Sequence, residues 1–259
     1  MVLSKTLLEN LLVEYETKKN LNFVVSKSLP ILFFGDLESF STQKKKVVTV
    51  GLNPSNIEFQ SNPKEEYSFF RFPEYDRTIE SLELTLNNYF KHNPYTKWFK
   101  TGYEPLLNGL GGSFFPDNDF DKVLHTDICS PLSTKPTWSK LSFNEQESLR
   151  RDGFELWKSL IHELKPHLII LSTRRSYLQL LSPKYIKTIH TINTTKEGKP
   201  RRPFNLDLFE VNINGFQTYL VYGEPKNLPF GSVTTEDKIL MGKFLSKYTT
   251  MDTTKTNLY

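Results

Sequence analysis

The chain has 259 residues, a formal net charge of +4, and 37% hydrophobic and 14% aromatic residues, enough apolar material for one substantial core. Its one cysteine, Cys129, excludes a disulfide framework and any cysteine-rich zinc or iron–sulfur site within a single chain, and reads as a small buried hydrophobe. Glu9, Glu14 and Glu16 break the apolar pattern between Met1 and Asn20, so neither a signal peptide nor a membrane span is expected there, and a cytoplasmic location is.

Leu3, Leu7, Leu8, Leu11, Leu12 and Tyr15 recur at helical spacing and predict an amphipathic first helix, followed by a polar extended stretch. Residues 46–54, KVVTVGLNP, form a β-branched run ending in Gly51-Leu52-Asn53-Pro54, which reads as a buried strand breaking into a sharp turn. Helices are predicted over Asp76 to His92 and over Tyr95 to Leu110, the second ending at Gly109, and Asp121 to His125 is a second short strand. A long helix from about Asn144 to Leu164 stops at Pro166 and leads into the apolar strand His167 to Leu171. Leu208 to Ile213 and Phe216 to Tyr222 alternate across Asn214-Gly215, a hairpin signal. Thr234 or Thr235 caps a last helix, Glu236 to Tyr248, and the tail from Thr249 is expected to be disordered.

Strands alternating with helices predict a three-layer α/β/α sandwich, one domain over residues 1–248, with a central, mainly parallel sheet. In that arrangement the strand ends carry Asn53, His125-Thr126-Asp127, Ser172 to Arg175, and Tyr222 to Pro225, so four polar clusters share the edge where open α/β sheets bind their ligands. Between Pro183 and Arg202, six basic residues face the single acid Glu197. This segment is either a solvated loop or a flap that contacts phosphates.

Three of these segments together resemble the uracil-DNA glycosylase superfamily. VGLNPS (Val50 to Ser55) is similar to the G-x-N-P motif of its mismatch-specific and single-strand-selective branches, LHTDICSPL (Leu124 to Leu132) to the segment supplying the base reader, and YGEPKN (Tyr222 to Asn227) stands where the last motif belongs. The resemblance implies hydrolysis of an N-glycosidic bond on a nucleotide swung out of the DNA stack. It makes Asn53 the residue that positions the water, with Glu58, Asp127 or Glu224 available as a carboxylate partner. Base-binding positions then fall at Gly51, Leu52, Asp127, Tyr222 and Phe72, the last chosen among Phe59, Phe69, Phe70 and Phe72 as the stacking aromatic. DNA-binding positions fall at Ser55, Lys199, Arg201, Arg202, Lys226 and Asn227, with Leu228 and Phe230 as the wedge into a base step.

Two departures shape the substrate. Asp127 replaces an amide that reads uracil, and a carboxylate, which only accepts hydrogen bonds, suits the exocyclic amine of a cytosine-type base. An alternative alignment places Thr126 in the pocket and leaves Asp127 as a turn residue. The motif's histidine is missing at Tyr222-Gly223, with Glu224 following, which fits a remodelled pocket for a modified base. The expected protein is a monomeric, monofunctional DNA glycosylase without metal or cofactor, of the kind that attacks modified cytosines in anti-phage defence. Its rivals are a conventional uracil or mismatch glycosylase and a catalytically silent nucleic-acid-binding module. No Gly-x-Ser-x-Gly, phosphate-loop, His-Glu-x-x-His or Rossmann glycine pattern competes with this reading.

Overall fold

In the computed structural model, which describes residues 3–62 and 64–249, the strands in chain order are β1 (Phe33–Phe34), β2 (Val47–Gly51), β3 (Gly112–Ser113), β4 (Asp121–Lys122), β5 (Leu124–Asp127), β6 (Leu168–Leu171), β7 (Lys184–Thr194), β8 (Pro200–Ile213) and β9 (Phe216–Tyr222). The helices are α1 (Lys5–Lys18), α2 (Leu37–Thr42), α3 (Ile79–Asn87), α4 (Thr96–Trp98), α5 (Glu104–Leu110), α6 (Phe143–Leu164), α7 (Arg175–Gln179) and α8 (Thr235–Leu245). Seven strands form one sheet in the order β1-β5-β2-β6-β9-β8-β7, and β3 with β4 forms a separate small ladder. The inner strands β5, β2, β6 and β9 run parallel, whereas β1 on one side and β8 and β7 on the other are antiparallel additions. Every residue of β2, β5 and β6 is buried, as strands covered on both faces require.

The two coverings are visible in adjacent residues of β5. The His125 ring packs against Phe99, Tyr103 and Phe114, which belong to the segment around α5, while the next residue, Thr126, accepts a hydrogen bond from Trp157 Nε1 of α6 at 3.0 Å. Successive strand residues point to opposite faces, so the two helical segments lie on opposite sides of the sheet. On the α5 side, α8 crosses so closely that a Cβ on Gly109 or on Gly242 would lie 2.0 Å from a backbone carbonyl of the other helix. Gly109 is therefore a packing residue inside α5, and the helix ends instead at Gly111, whose φ of 84° is left-handed.

Local chemistry sets the helix ends and corrects several boundaries. Ser142 and Glu145 form a reciprocal capping box that starts α6 at Phe143, and Thr234 with Asp237 does the same for α8. The expected helix from Tyr95 is broken into α4, a π-helical turn over Phe99–Tyr103, and α5, which starts with Pro105 in its first turn. The single strand expected over Asp121 to His125 divides into β4 and β5, each paired to a different ladder. Residues 183–202 are not a loop: they hold β7, a five-residue turn at 195–199, and the start of β8, which begins at Pro200 and not at Leu208. Thr249 is buried and its hydroxyl donates to Ser246 O at 2.8 Å, contrary to the expected disorder at that position; residues 250–259 of the expected tail lie outside the described residues. Among the described residues no helix is long and apolar enough to cross a membrane.

Topology also marks one point on the carboxyl edge. The chain leaves β2 towards β5, whereas it leaves β6 towards β9, so the strand order reverses between β2 and β6. Ligands of open parallel sheets bind outside the carboxyl ends at such a reversal.

Candidate active site

The register of β2 against β5 stacks two rungs on one face, Thr49 beside His125 and Gly51 beside Asp127. Gly51 is required by its neighbour: a Cβ there would lie 2.3 Å from Asp127 Oδ1 and 3.1 Å from His125 Nε2, so the missing side chain makes the space the carboxyl occupies. Thr49 Oγ1 donates to Leu124 O at 3.4 Å and lies 2.8 Å from His125 Nδ1. The other ring nitrogen, Nε2, lies 3.8 Å from Asp127 Oδ1. Burial pushes the imidazole down to about 3, so it is neutral. Burial, helped by the charge of Glu58, holds the Asp127 carboxyl well above the usual carboxylate range. Among the described residues, no protein donor lies within hydrogen-bond distance of Asp127's carboxyl oxygens.

Beyond this rung the first two motifs run side by side. Gly51 O accepts from Ile128 N–H at 3.1 Å, and Leu52 O from Cys129 N–H at 2.9 Å. Asn53 completes the seam: its Nδ2 donates to Pro54 O (3.1 Å), Leu132 O (3.1 Å) and Thr134 Oγ1 (3.0 Å). The amide nitrogen is thus fully committed, which fixes the side chain with its carbonyl oxygen lacking a protein partner among the described residues. Ser55 Oγ accepts from Ile57 N–H at 3.2 Å and caps the 3₁₀ turn Asn56–Phe59, so its hydroxyl serves the turn that carries Glu58.

Glu58 is buried. Tyr89 Oη donates to its Oε2 at 2.5 Å, Arg71 Nε lies 3.9 Å away, and burial outweighs both in pushing the carboxyl up to about 7. Phe72, expected to stack on a base, is wholly buried with its ring against those of Phe59 (5.3 Å) and Tyr89 (5.7 Å). Its faces are occupied, and the expectation is corrected. The neighbouring Phe70 is half-buried, with the Arg71 guanidinium 4.5 Å from its ring centre.

The far side of the edge differs from expectation more strongly. Phe230 is buried against Tyr103 and Phe204, and its N–H donates to Ser172 Oγ at 2.9 Å. It pins the loop to β6 and is no wedge. Leu228 is half-buried in a tight turn closed by Lys226 N–H to Leu228 O at 3.1 Å, with Asn227 exposed at its tip at φ 60°. Tyr222 is buried, donates to Thr173 O at 3.0 Å, and is pushed up to about 12 by burial. Glu224, expected as a catalytic carboxylate, is exposed and stands 4.0 Å from Arg202. Lys199 and Arg202 are exposed, and Arg201 Nη1 donates to Ser232 O.

The structure therefore gathers Gly51, Leu52, Asn53 and Asp127 into one corner, and disposes of the alternative alignment, because Thr126 faces α6 while Asp127 shares the face of Gly51. His125 was placed on this edge by the sequence but given no role there. Its signal was its position two before Asp127, on the same face of the same strand. Among the described residues, no group of three or more His, Cys, Asp or Glu side chains is placed to hold a metal. No family model matches the chain. No curated protein is significantly similar to it.

Proposed function

We propose that this protein is a monofunctional DNA glycosylase that hydrolyses the N-glycosidic bond of a flipped-out pyrimidine, with a modified cytosine-type base as its preferred substrate. The observation that carries the reading is that Asn53, whose amide nitrogen is committed and whose carbonyl oxygen is left for a ligand, and the buried carboxyl of Asp127, 3.8 Å from His125, stand at the ends of two adjacent parallel strands. The carbonyl accepts a hydrogen bond from water and directs a lone pair at the sugar carbon as the bond to the base breaks and its electron pair leaves with the base. Positioning of this kind supplies most of the acceleration where charge develops on the sugar and on the departing base. Glu58, poised near neutrality, is the group suited to take the water's proton.

Asp127 reads the base edge. In its neutral form it offers one donor and one acceptor, which serve cytosine (ring nitrogen and amine) and uracil (ring N–H and carbonyl) alike. Once ionised, it only accepts: where it faces the exocyclic group it accepts from the amine of a cytosine-type base and repels the carbonyl of uracil, whose ring N–H is then the one group left to donate to it. Burial thus supports a second reading, uracil excision, below the raised pKa of Asp127, and removes the premise that Asp127 is always a carboxylate. The deciding experiment incubates the protein with DNAs that each carry one candidate base and scores alkali-labile abasic sites. Abasic sites from modified cytosine establish the proposal, from uracil alone the second reading, and binding without base release a silent module.

A further inference from the structure

The antiparallel ribbon β7–β8 outruns the sheet that carries it. Asp207 pairs with Tyr222, the last residue of β9, so residues 200–206 continue beyond the carboxyl edge paired only to β7, a projection of about 20 Å at the usual rise per strand residue. One face of this arm is braced: Phe204 and Leu206 are buried, and the His190 ring lies 4.9 Å from that of Phe244. The other face is polar, with Thr191 Oγ1 donating to Asn205 Oδ1 across the strands at 3.0 Å. The tip turns tightly through Thr195 N–H to Lys199 O at 2.7 Å and Gly198 N–H to Thr195 O at 2.9 Å. It presents Lys196, Lys199 and Arg202 to solvent.

Beneath the tip lies a cleft of about 480 Å³ between the arm and the loop after β9, lined by Lys196, Arg201, Arg202 and Lys226 and by residues 231–234 ahead of α8. Two acids near it are already engaged, Glu224 facing Arg202 at 4.0 Å and Asp237 accepting from the capping Thr234 N–H at 3.2 Å; Glu236 opens α8, and Glu197 sits on the turn. A two-stranded ribbon is narrow enough to enter a duplex groove. The aromatic rings of the projecting part, His190 and Phe204, are packed inward, so the arm offers no platform for unpaired bases and instead offers cations to phosphates.

We propose that the β7–β8 arm grips the backbone of duplex DNA flanking the target nucleotide, its basic cleft seating a phosphate, so that the enzyme acts on double-stranded substrate. The inference rests on the glycosylase reading only in taking DNA as the polymer. The test measures fluorescence anisotropy of a labelled duplex and of its single strand, neither carrying a target base, over roughly 50 to 200 mM salt. The combined change Lys196→Ala, Lys199→Ala and Arg202→Ala should weaken duplex binding at least about tenfold and lower the salt slope by about two to three, near 0.9 for each phosphate left without its cation. Duplex affinity should fall more than single-strand affinity, and Lys196→Arg with Lys199→Arg should retain it. If the alanine variant melts well below wild type, the single charge reversal Lys199→Glu takes its place with the same expected direction. Duplex binding within twofold of wild type, or equal losses on both DNAs, would overturn the proposal. Base release by the wild-type protein is scored separately: its absence removes the glycosylase reading and leaves the binding result standing.

Discussion

The two halves of the sheet's carboxyl edge use polar residues in opposite ways. At β2 and β5 the groups are few, buried and moved from their ordinary acidity: Asp127 and Glu58 are raised, and His125 is lowered, each chiefly by burial. Across the sheet, at β8 and the loop after β9, the charges are many and exposed, with Arg202 and Glu224 open to water. Burial is what separates them. A desolvated group costs free energy to charge and can exchange a proton near neutrality, as chemistry requires, whereas a solvated cation stays charged and is strong only in numbers, as backbone binding requires.

The sharpest way to break this contrast is to remove the fixed carbonyl. Asn53→Ala should slow single-turnover base release by about a hundredfold or more, the usual cost of one positioned polar group, while DNA binding, proposed for the other half, is largely kept. A rate close to wild type would take Asn53 out of the mechanism. Glu58 comes next. A carboxyl raised from 4.5 to about 7 binds its proton more tightly in the folded protein, so its stabilising contribution is full below pH 4.5 and declines as pH rises to about 7. That loss is about 3 kcal/mol at most. Glu58→Gln keeps an acceptor for Tyr89 Oη but cannot ionise, so thermal denaturation of the variant should show a flatter pH profile over that window. An unchanged slope would mean that Glu58 is not the buried titrating group.

What could be read from the chain alone follows burial too. Strands β2 and β6 and the turn at Gly51 to Pro54 were legible because apolar runs and Gly-Pro punctuation are local signals, whereas β5, which carries one apolar residue in four, was placed three residues early. β7 was not legible, because its side chains are mostly exposed and its residues Lys184, Thr188 and Thr191 carry no apolar alternation; its pairing to β8 is a long-range fact. Phe72 and Phe230 went wrong for a related reason. An aromatic near a motif reads the same whether it stacks on a ligand or on Phe59 and Tyr89, and only the tertiary contacts distinguish the two. The place of Asp127 at a strand end was legible, but not the burial that raises its pKa, since the depth of a strand end in the core is invisible in sequence.

That burial gives the next expectation. Wild-type action on uracil should decline the more steeply as pH rises through the raised pKa of Asp127, because ionisation removes the donor to uracil's carbonyl and turns that contact repulsive, whereas a cytosine-type base loses the bond to its ring nitrogen but keeps the one from its amine. Asp127→Asn holds its donor at every pH, so the uracil decline should vanish and the preference should move towards uracil by about 1–3 kcal/mol. The ratio of single-turnover rates on the two bases, followed against pH, is the measurement. Identical ratios in wild type and variant would remove Asp127 as the base reader.

The smallest effect is expected at Glu224, and it tests the contrast from the exposed side. Its carboxylate is open to solvent and faces Arg202 at 4.0 Å, the geometry of a surface pair that contributes less than about 1 kcal/mol. If the exposed half only binds, Glu224→Gln changes nothing at the reacting carbon and releases Arg202 from a competing anion. Base release under single-turnover, saturating conditions should then stay within about twofold of wild type. Duplex affinity should rise by a similar small factor, with the gain shrinking at high salt as screening weakens the pair in the wild-type protein. A loss of rate approaching that of Asn53→Ala would show that Glu224 reaches the reacting atoms when DNA is bound. The division between a buried reacting half and an exposed gripping half would then fail at the residue where the two meet.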